Sequence, residues 1–156
     1  MDMKKPKYME ELLNTVFLCL SVSFILFGVL SFFGILKPKV TSMVQDQTLL
    51  GTGFLLAGIL FLLVYISLKI VVARKNKLYS ELFSNGNKIR GTVENVYLQK
   101  YTHYGNKCPY RILYTYTYLG RVYHHKSCLL WDKPDLAEGD PIMVYVNDDG
   151  KSVIKL

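Results

Sequence analysis

The sequence predicts an α+β membrane protein, in which a two-helix transmembrane hairpin precedes a small antiparallel five-stranded β domain, barrel-like or a rolled sheet. Three observations predict it. Two long apolar runs fill the first half of the chain, basic residues gather beside those runs, and beyond position 87 the apolar period changes from helical to alternating. The expected division is 1–86 for the hairpin with its helical stem and 87–156 for the β domain.

The first apolar segment, Leu12 to Leu36, contains no charged residue. As a helix it would be about 37 Å long, more than the roughly 30 Å of hydrocarbon needs, so it spans with some tilt. A cleaved signal peptide would need a shorter apolar core and a small-x-small site, and no clear site of that kind precedes Lys37. The second segment, Leu49 to Val72, is interrupted only by Lys69 near one end, where the aliphatic stem can carry the ammonium to the interface. The rest of the chain is too small to cover two helices that are apolar all round, which argues against a soluble core.

Charge sets the expected orientation. Lys4, Lys5 and Lys7 precede the first helix and Lys69, Arg74, Lys75 and Lys77 leave the second, whereas the loop from Lys37 to Gln47 carries only Lys37 and Lys39. The positive-inside bias places both termini and the β domain in the cytoplasm, making a multi-pass protein of the cell membrane. Lys69, Arg74, Lys75 and Lys77 are the candidate membrane-surface residues, read either as topological signals or as contacts to anionic head groups. The net charge of +7 has no dense basic run behind it, so no nucleic-acid partner is expected. Within the hairpin, Thr15, Cys19 and Ser23 on one helix and Gly53 and Ala57 on the other recur at a spacing of four. These stripes are expected either to serve helix packing or self-association or simply to reflect how common Gly and Ser are in membrane helices.

The stem from Arg74 to about position 84 continues the second helix, and Asn85-Gly86 is expected to end it in a left-handed turn. Strands are expected at Ile89–Gln99, Tyr110–Leu119, Arg121–Leu130, Pro141–Val146 and Ser152–Leu156, rich in Val, Ile, Tyr and Thr. Turn signals at Tyr104-Gly105-Asn106, Leu119-Gly120-Arg121, Lys133-Pro134-Asp135 and Asp148-Asp149-Gly150 separate them. The second strand alternates best, with Ile112, Tyr114, Tyr116 and Tyr118 on one face. That face either fills a small barrel core or, with Tyr123, forms an aromatic platform for a partner. A β domain of this size is marginal alone.

Gly91-Thr92-Val93, Tyr114-Thr115-Tyr116 with Gly120 and Tyr123, Gly139-Asp140-Pro141-Ile142-Met143-Val144-Tyr145 and the end strand Ile154 to Leu156, placed after two membrane helices, carry a resemblance. Nearly the whole chain resembles a widespread bacterial family of uncharacterised membrane proteins grouped as a domain of unknown function. The resemblance implies an architecture and no catalytic residues. Val146-Asn147-Asp148-Asp149-Gly150 departs from the Tyr-x-Pro-x-x-Pro-like turn expected there, so the last hairpin is expected to differ.

No phosphate loop, nucleophile elbow or paired helical histidines occur, and the carboxylates lie in turn-like stretches. No enzyme and no cofactor is expected. His103, Cys108, His125 and Cys128 are the candidate soft-metal ligands, though their spacing matches no finger pattern, and His124 and His125 would point to opposite faces of a strand. A Cys108–Cys128 disulfide is disfavoured in a reducing cytosol. The expected function is a membrane-anchored, non-catalytic interaction or scaffold module with the lipid bilayer and an unidentified protein as partners, in its specific form an immunity or accessory protein. The alternative is a small-ligand or metal sensor acting through the β domain.

Overall fold

A computed structural model of the chain describes residues 5–35 and 47–155. Leu36, nearly all of the expected loop from Lys37 to Gln47, and Leu156 lie outside the described residues. Two helices, α1 (Met9–Phe32) and α2 (Gln47–Asn85), precede strands β1 (Asn87–Leu98), β2 (Tyr110–Tyr118), β3 (Arg121–Lys126), β4 (Pro141–Val146) and β5 (Ser152–Ile154). The chain divides into two compact units, one of residues 10–72 and one of residues 1–9 with 73–156. The stem of α2 and the segment before α1 therefore belong with the strands.

In the helical unit both helices are long and apolar enough to cross a membrane. Only 17% and 6% of their most apolar stretches are buried. The seam between them is set by small residues spaced seven apart. Ser21 and Gly28 on α1 are buried, as are Gly51 and Gly58 on α2. A Cβ on Gly28 would stand 2.9 Å from the Leu55 backbone nitrogen, and one on Gly58 would stand 2.9 Å from that of Ile25. Backbones this close leave no room for a side chain. Beside this line run the rings of Phe17, Phe24, Phe54 and Phe61, with Phe24 and Phe61 edge-to-face at 5.3 Å. The spacing-of-four stripes are not the seam. Thr15, Cys19, Ser23 and Gly53 are exposed, and a Cβ on Gly53 would meet nothing within 4 Å.

In the other unit, the stem packs Leu82 into the interior and sets Phe83 edge-to-face on Tyr145 at 5.3 Å. The helix ends at Asn85, with the Gly86 N–H donating to the Leu82 carbonyl at 2.9 Å. Gly86 is not left-handed, contrary to expectation. It is glycine because a Cβ there would run into the Leu82 carbonyl.

The strands form one antiparallel curled half-barrel sheet in the order β3-β2-β1-β4-β5. Central β1 is long because it serves two neighbours: Asn87–Thr92 pair with β4 and Gly91–Leu98 with β2. Where the two stretches overlap, a Cβ on Gly91 would lie 2.7 Å from both the Thr115 carbonyl and Val144. A register shift between Val93 and Asn95 follows at once, and bulge and glycine together bend the sheet. Gly139-Asp140 continues the β4 side of this ladder, with the Gly139 N–H on the Val93 carbonyl and the Val93 N–H on the Asp140 carbonyl, both 2.9 Å.

The strand expectations hold to within a few residues, except that β3 stops at Lys126 instead of Leu130. Ser127 ends it: its Oγ accepts the Ile112 N–H at 2.9 Å, replacing a backbone acceptor. The β2–β3 turn holds Leu119 at φ 48° and Gly120 at φ 73°, the left-handed pair that a tight hairpin requires. Asn147 closes the last hairpin, its Oδ1 accepting the Lys151 N–H at 2.9 Å. The core is Val93, Ile112, Tyr114, Tyr116, Val144, Val146 and Ile154, all on the concave face.

The seam can be checked by inserting methyl groups. Gly58→Ala is expected to weaken the helical unit by about 1–3 kcal/mol, the usual penalty of overpacking. Gly53→Ala should be neutral or slightly favourable, because it relieves helical glycine entropy in open space. Reversible unfolding in detergent micelles measures both, and equal destabilisation by the two variants would show that the seam lies elsewhere.

Candidate functional site

The tyrosine face is a hydrogen-bonded ladder across the core. Tyr114, Tyr116 and Tyr118 alternate along β2 and so point the same way, over the concave side toward the β4–β5 hairpin. Tyr114 Oη lies 3.0 Å from Ser152 Oγ, Tyr116 Oη donates to the Gly150 carbonyl at 2.6 Å, and Tyr118 Oη donates to Asp148 Oδ1 at 3.3 Å while accepting from Asn87 Nδ2 at 3.0 Å. The partners step by two residues as the tyrosines do, in the opposite sense. Tyr116 also stacks on Tyr123 of β3, with centroids 5.3 Å apart and planes within 10°. His125 completes the cluster, its ring 5.7 Å from that of Tyr116.

Of the four tyrosines expected to meet a partner, Tyr114 and Tyr116 are therefore interior, with 1% and 3% of their surface exposed. Their phenols prefer the inside because each hydroxyl has a hydrogen-bond partner there. Tyr118 and Tyr123 are half-buried at the rim. Burial pushes the Tyr114 hydroxyl well above the usual phenol value, against the opposing pull of its Ser152 hydrogen bond, and pushes that of Tyr116 up as well.

The four candidate metal ligands do not converge: among the described residues no group of three or more His, Cys, Asp and Glu side chains is placed to hold a metal ion. His103 is exposed in the β1–β2 loop, Cys108 precedes buried Pro109, and Cys108 and Cys128 are both free thiols. His125 faces the tyrosines, and burial lowers its pKa, which favours the neutral ring. Burial raises the Cys128 thiol, outweighing the nearby positive charges of Lys7 and Arg111, so it favours the unreactive protonated form. His124 lies on the opposite, outer face, with Nδ1 2.7 Å from Glu94 Oε1.

The basic residues sit where the apolar helices end. Lys69 lies over the Tyr65 ring at 5.6 Å, Lys75 over that of Tyr8 at 5.5 Å, and Lys77 pairs with Glu81 at 3.8 Å. Arg74 is exposed and lines a groove of about 340 Å³ with Lys75, Lys77 and Lys151.

Sequence reasoning missed the segment before α1. The Pro6 carbonyl accepts from Trp131 Nε1 at 2.6 Å and the Lys7 carbonyl from the Leu129 N–H at 2.9 Å. Tyr8 stands edge-to-face on Tyr79 at 5.6 Å. Lys107 and Lys5 grip Asp132 at 3.1 and 3.2 Å and hold its carboxyl below the usual carboxylate range. Tyr8 and Trp131, a ring ahead of the apolar segment and the single tryptophan in a loop, were the available signals.

No protein-family model, curated protein or solved structure matches the chain. The coarse build stands on the structure alone, two apolar helices followed by a sheet domain.

The ladder predicts which hydroxyls matter. Tyr116→Phe leaves the buried Gly150 carbonyl without its donor and should cost about 1–3 kcal/mol, whereas Tyr118→Phe at the rim should cost under about 0.5 kcal/mol. Because the folded-state pKa of Tyr114 is raised, its contribution is intact below about pH 10, the unfolded value, and is lost as the pH climbs from there toward the folded value. Unfolding followed from pH 8 into the alkaline range should show a steeper loss for the unmodified protein than for Tyr114→Phe. Parallel curves would remove Tyr114 as the cause.

Proposed function

We propose that the protein is a membrane-anchored, non-catalytic interaction module whose sheet domain takes an extended segment of a partner protein along the free edge of β3. The observation that carries this reading is the position of β3, which ends the sheet and, among the described residues, pairs only with β2. Such an edge offers unpaired backbone donors and acceptors to an added strand. The outward side chains of Val122 and His124 are exposed, while the concave side is packed with the protein's own rings. An immunity or accessory role is one specific form of this module, in which the partner is a toxin or an assembly at the membrane.

The membrane half of the proposal rests on two apolar helices of spanning length, few of whose residues are buried. Residues 5–8 before α1 and the stem after residue 72 fold into one unit, which supports a hairpin whose two ends emerge on one side. The excess of basic residues on those ends favours the cytoplasm.

Two experiments test the proposal. Cysteines introduced at Lys7 and Leu119 should react with a membrane-impermeant maleimide in inverted vesicles and stay protected in right-side-out ones. Labelling of the two positions from opposite sides would refute the hairpin. A photoreactive residue at Val122 of the full-length protein in cells should give a discrete protein adduct that Val122→Lys variants of the same edge compete for poorly, since a charge blunts an edge strand. The same label at Met143, exposed on β4, should give none. Silence at Val122 would remove the edge-strand reading.

A further inference from the structure

The pairing of β3 with β2 fixes which of its groups are free. Tyr118 pairs with Arg121 around the turn at Leu119-Gly120, and at the far end the Ser127 N–H donates to the Ile112 carbonyl at 2.9 Å. In an antiparallel pair, residues that bond to the neighbour alternate with residues whose N–H and C=O point away. Counting back from Ser127, the backbone groups of Arg121, Tyr123 and His125 turn toward β2, and those of Val122, His124 and Lys126 turn out to the free edge. The free stretch stops there, because the Leu129 N–H is already taken by the Lys7 carbonyl at 2.9 Å.

The side chains along this edge carry one sign of charge. The strand from Arg121 to Lys126 contains no carboxylate. Arg121 and Lys126 are exposed, and neither forms an ion pair among the described residues. Two carboxylates stand close by and both are engaged: Glu94 Oε1 lies 2.7 Å from His124 Nδ1, and Asp148 Oδ1 accepts from Tyr118 Oη at 3.3 Å. Behind exposed Val122 a shallow groove of about 190 Å³ runs over Thr117 and Thr115 to Arg90, which is also exposed and without an ion pair among the described residues. A second copy of this chain would bring the same basic strand to the edge, and like charges facing one another across a strand pair are destabilising. The edge is suited to a strand of opposite charge.

We propose that the segment taken by β3 is an acidic peptide strand, with one carboxylate facing Lys126, another facing Arg121, and an uncharged β-branched residue facing Val122 between them. This rests on the edge-strand reading and names the chemistry of its partner. The two carboxylates stand five positions apart along the added strand, as Arg121 and Lys126 do along β3. An odd spacing also puts them on opposite faces of the strand, which is how Arg121 and Lys126 are arranged.

The test uses full-length protein in phosphatidylcholine nanodiscs, whose lipid has no net charge, and a fluorescent peptide rich in threonine and valine with two glutamates five positions apart. By anisotropy at low salt it should bind about five-fold tighter than the same peptide with glutamines in their place, and the gap should close as salt is added. Arg121→Glu combined with Lys126→Glu should reverse the preference, so that a lysine version of the peptide binds best. Val122→Pro removes an outward N–H and spares the bonds to β2, so it should abolish binding of every peptide while the circular dichroism of the protein is unchanged. Equal binding of the glutamate, glutamine and lysine peptides would overturn the acidic preference and leave the edge-strand reading standing. Absence of binding by any peptide, or binding that survives Val122→Pro, would remove the edge-strand reading and this inference with it. An oligothymidylate that binds as tightly as the glutamate peptide, and is lost with the same double substitution, would reveal a general polyanion surface and also overturn the proposal.

Discussion

Three phenolic hydroxyls spaced two residues apart on β2 tie that strand to the β4–β5 hairpin across the concave face of the sheet. The sheet order leaves β3 and β5 unpaired with each other, so backbone hydrogen bonds alone would leave an open, bent ribbon. Ser152, Gly150 and Asp148 answer Tyr114, Tyr116 and Tyr118 in reverse order, which is the register of an antiparallel strand pair rebuilt from side chains. A phenylalanine ladder would fill the same volume and leave the Gly150 carbonyl buried without a donor. Gly150 has its own reason to be glycine: φ is 74°, and a Cβ would stand 2.8 Å from the Tyr123 ring. The stacked Tyr116–Tyr123 pair and the hairpin turn therefore constrain one another, and the curl of the sheet rests on both.

What the sequence made legible was whatever depends on local period. Alternation along β2 separates its two faces because strand geometry repeats every two residues, and the turn dipeptides mark the hairpins because only a few residues tolerate their backbone angles. The choice between tyrosine core and tyrosine platform was not legible. It turns on hydrogen-bond partners thirty or more positions away, at Asp148, Gly150 and Ser152. The end of β3 failed for a related reason, since Ser127 is an ordinary strand residue until its hydroxyl meets the Ile112 N–H.

The helix seam shows the same limit more sharply. A spacing of four is what one helix displays by itself, and several small residues satisfy it by chance. The seam that forms repeats at seven, Ser21 with Gly28 and Gly51 with Gly58, because two helices in extended contact meet again only after two turns. Glycine was thus informative by type and misleading by position: Gly53 faces open space while Gly51, two residues earlier, has the Phe32 backbone nitrogen 3.1 Å from where its Cβ would be.

The segment before α1 changes how the sheet domain should be understood. A β domain confined to residues 87–156 would expose Leu129 and Trp131, both buried in the full unit, along with the face that takes Leu82 of the stem. Domains this small bury only a modest share of their surface, so losing a tryptophan and two leucines from the interior removes a large part of what offsets chain entropy. The indole also needs the Pro6 carbonyl, since a buried N–H without an acceptor costs about 1–3 kcal/mol. Residues on both sides of the apolar pair therefore contribute to one folding unit, and the chain between them must leave and return to the same place. The contacts that complete the sheet domain also hold the segment before α1 against the stem of α2, at Tyr8, Lys75 and Tyr79.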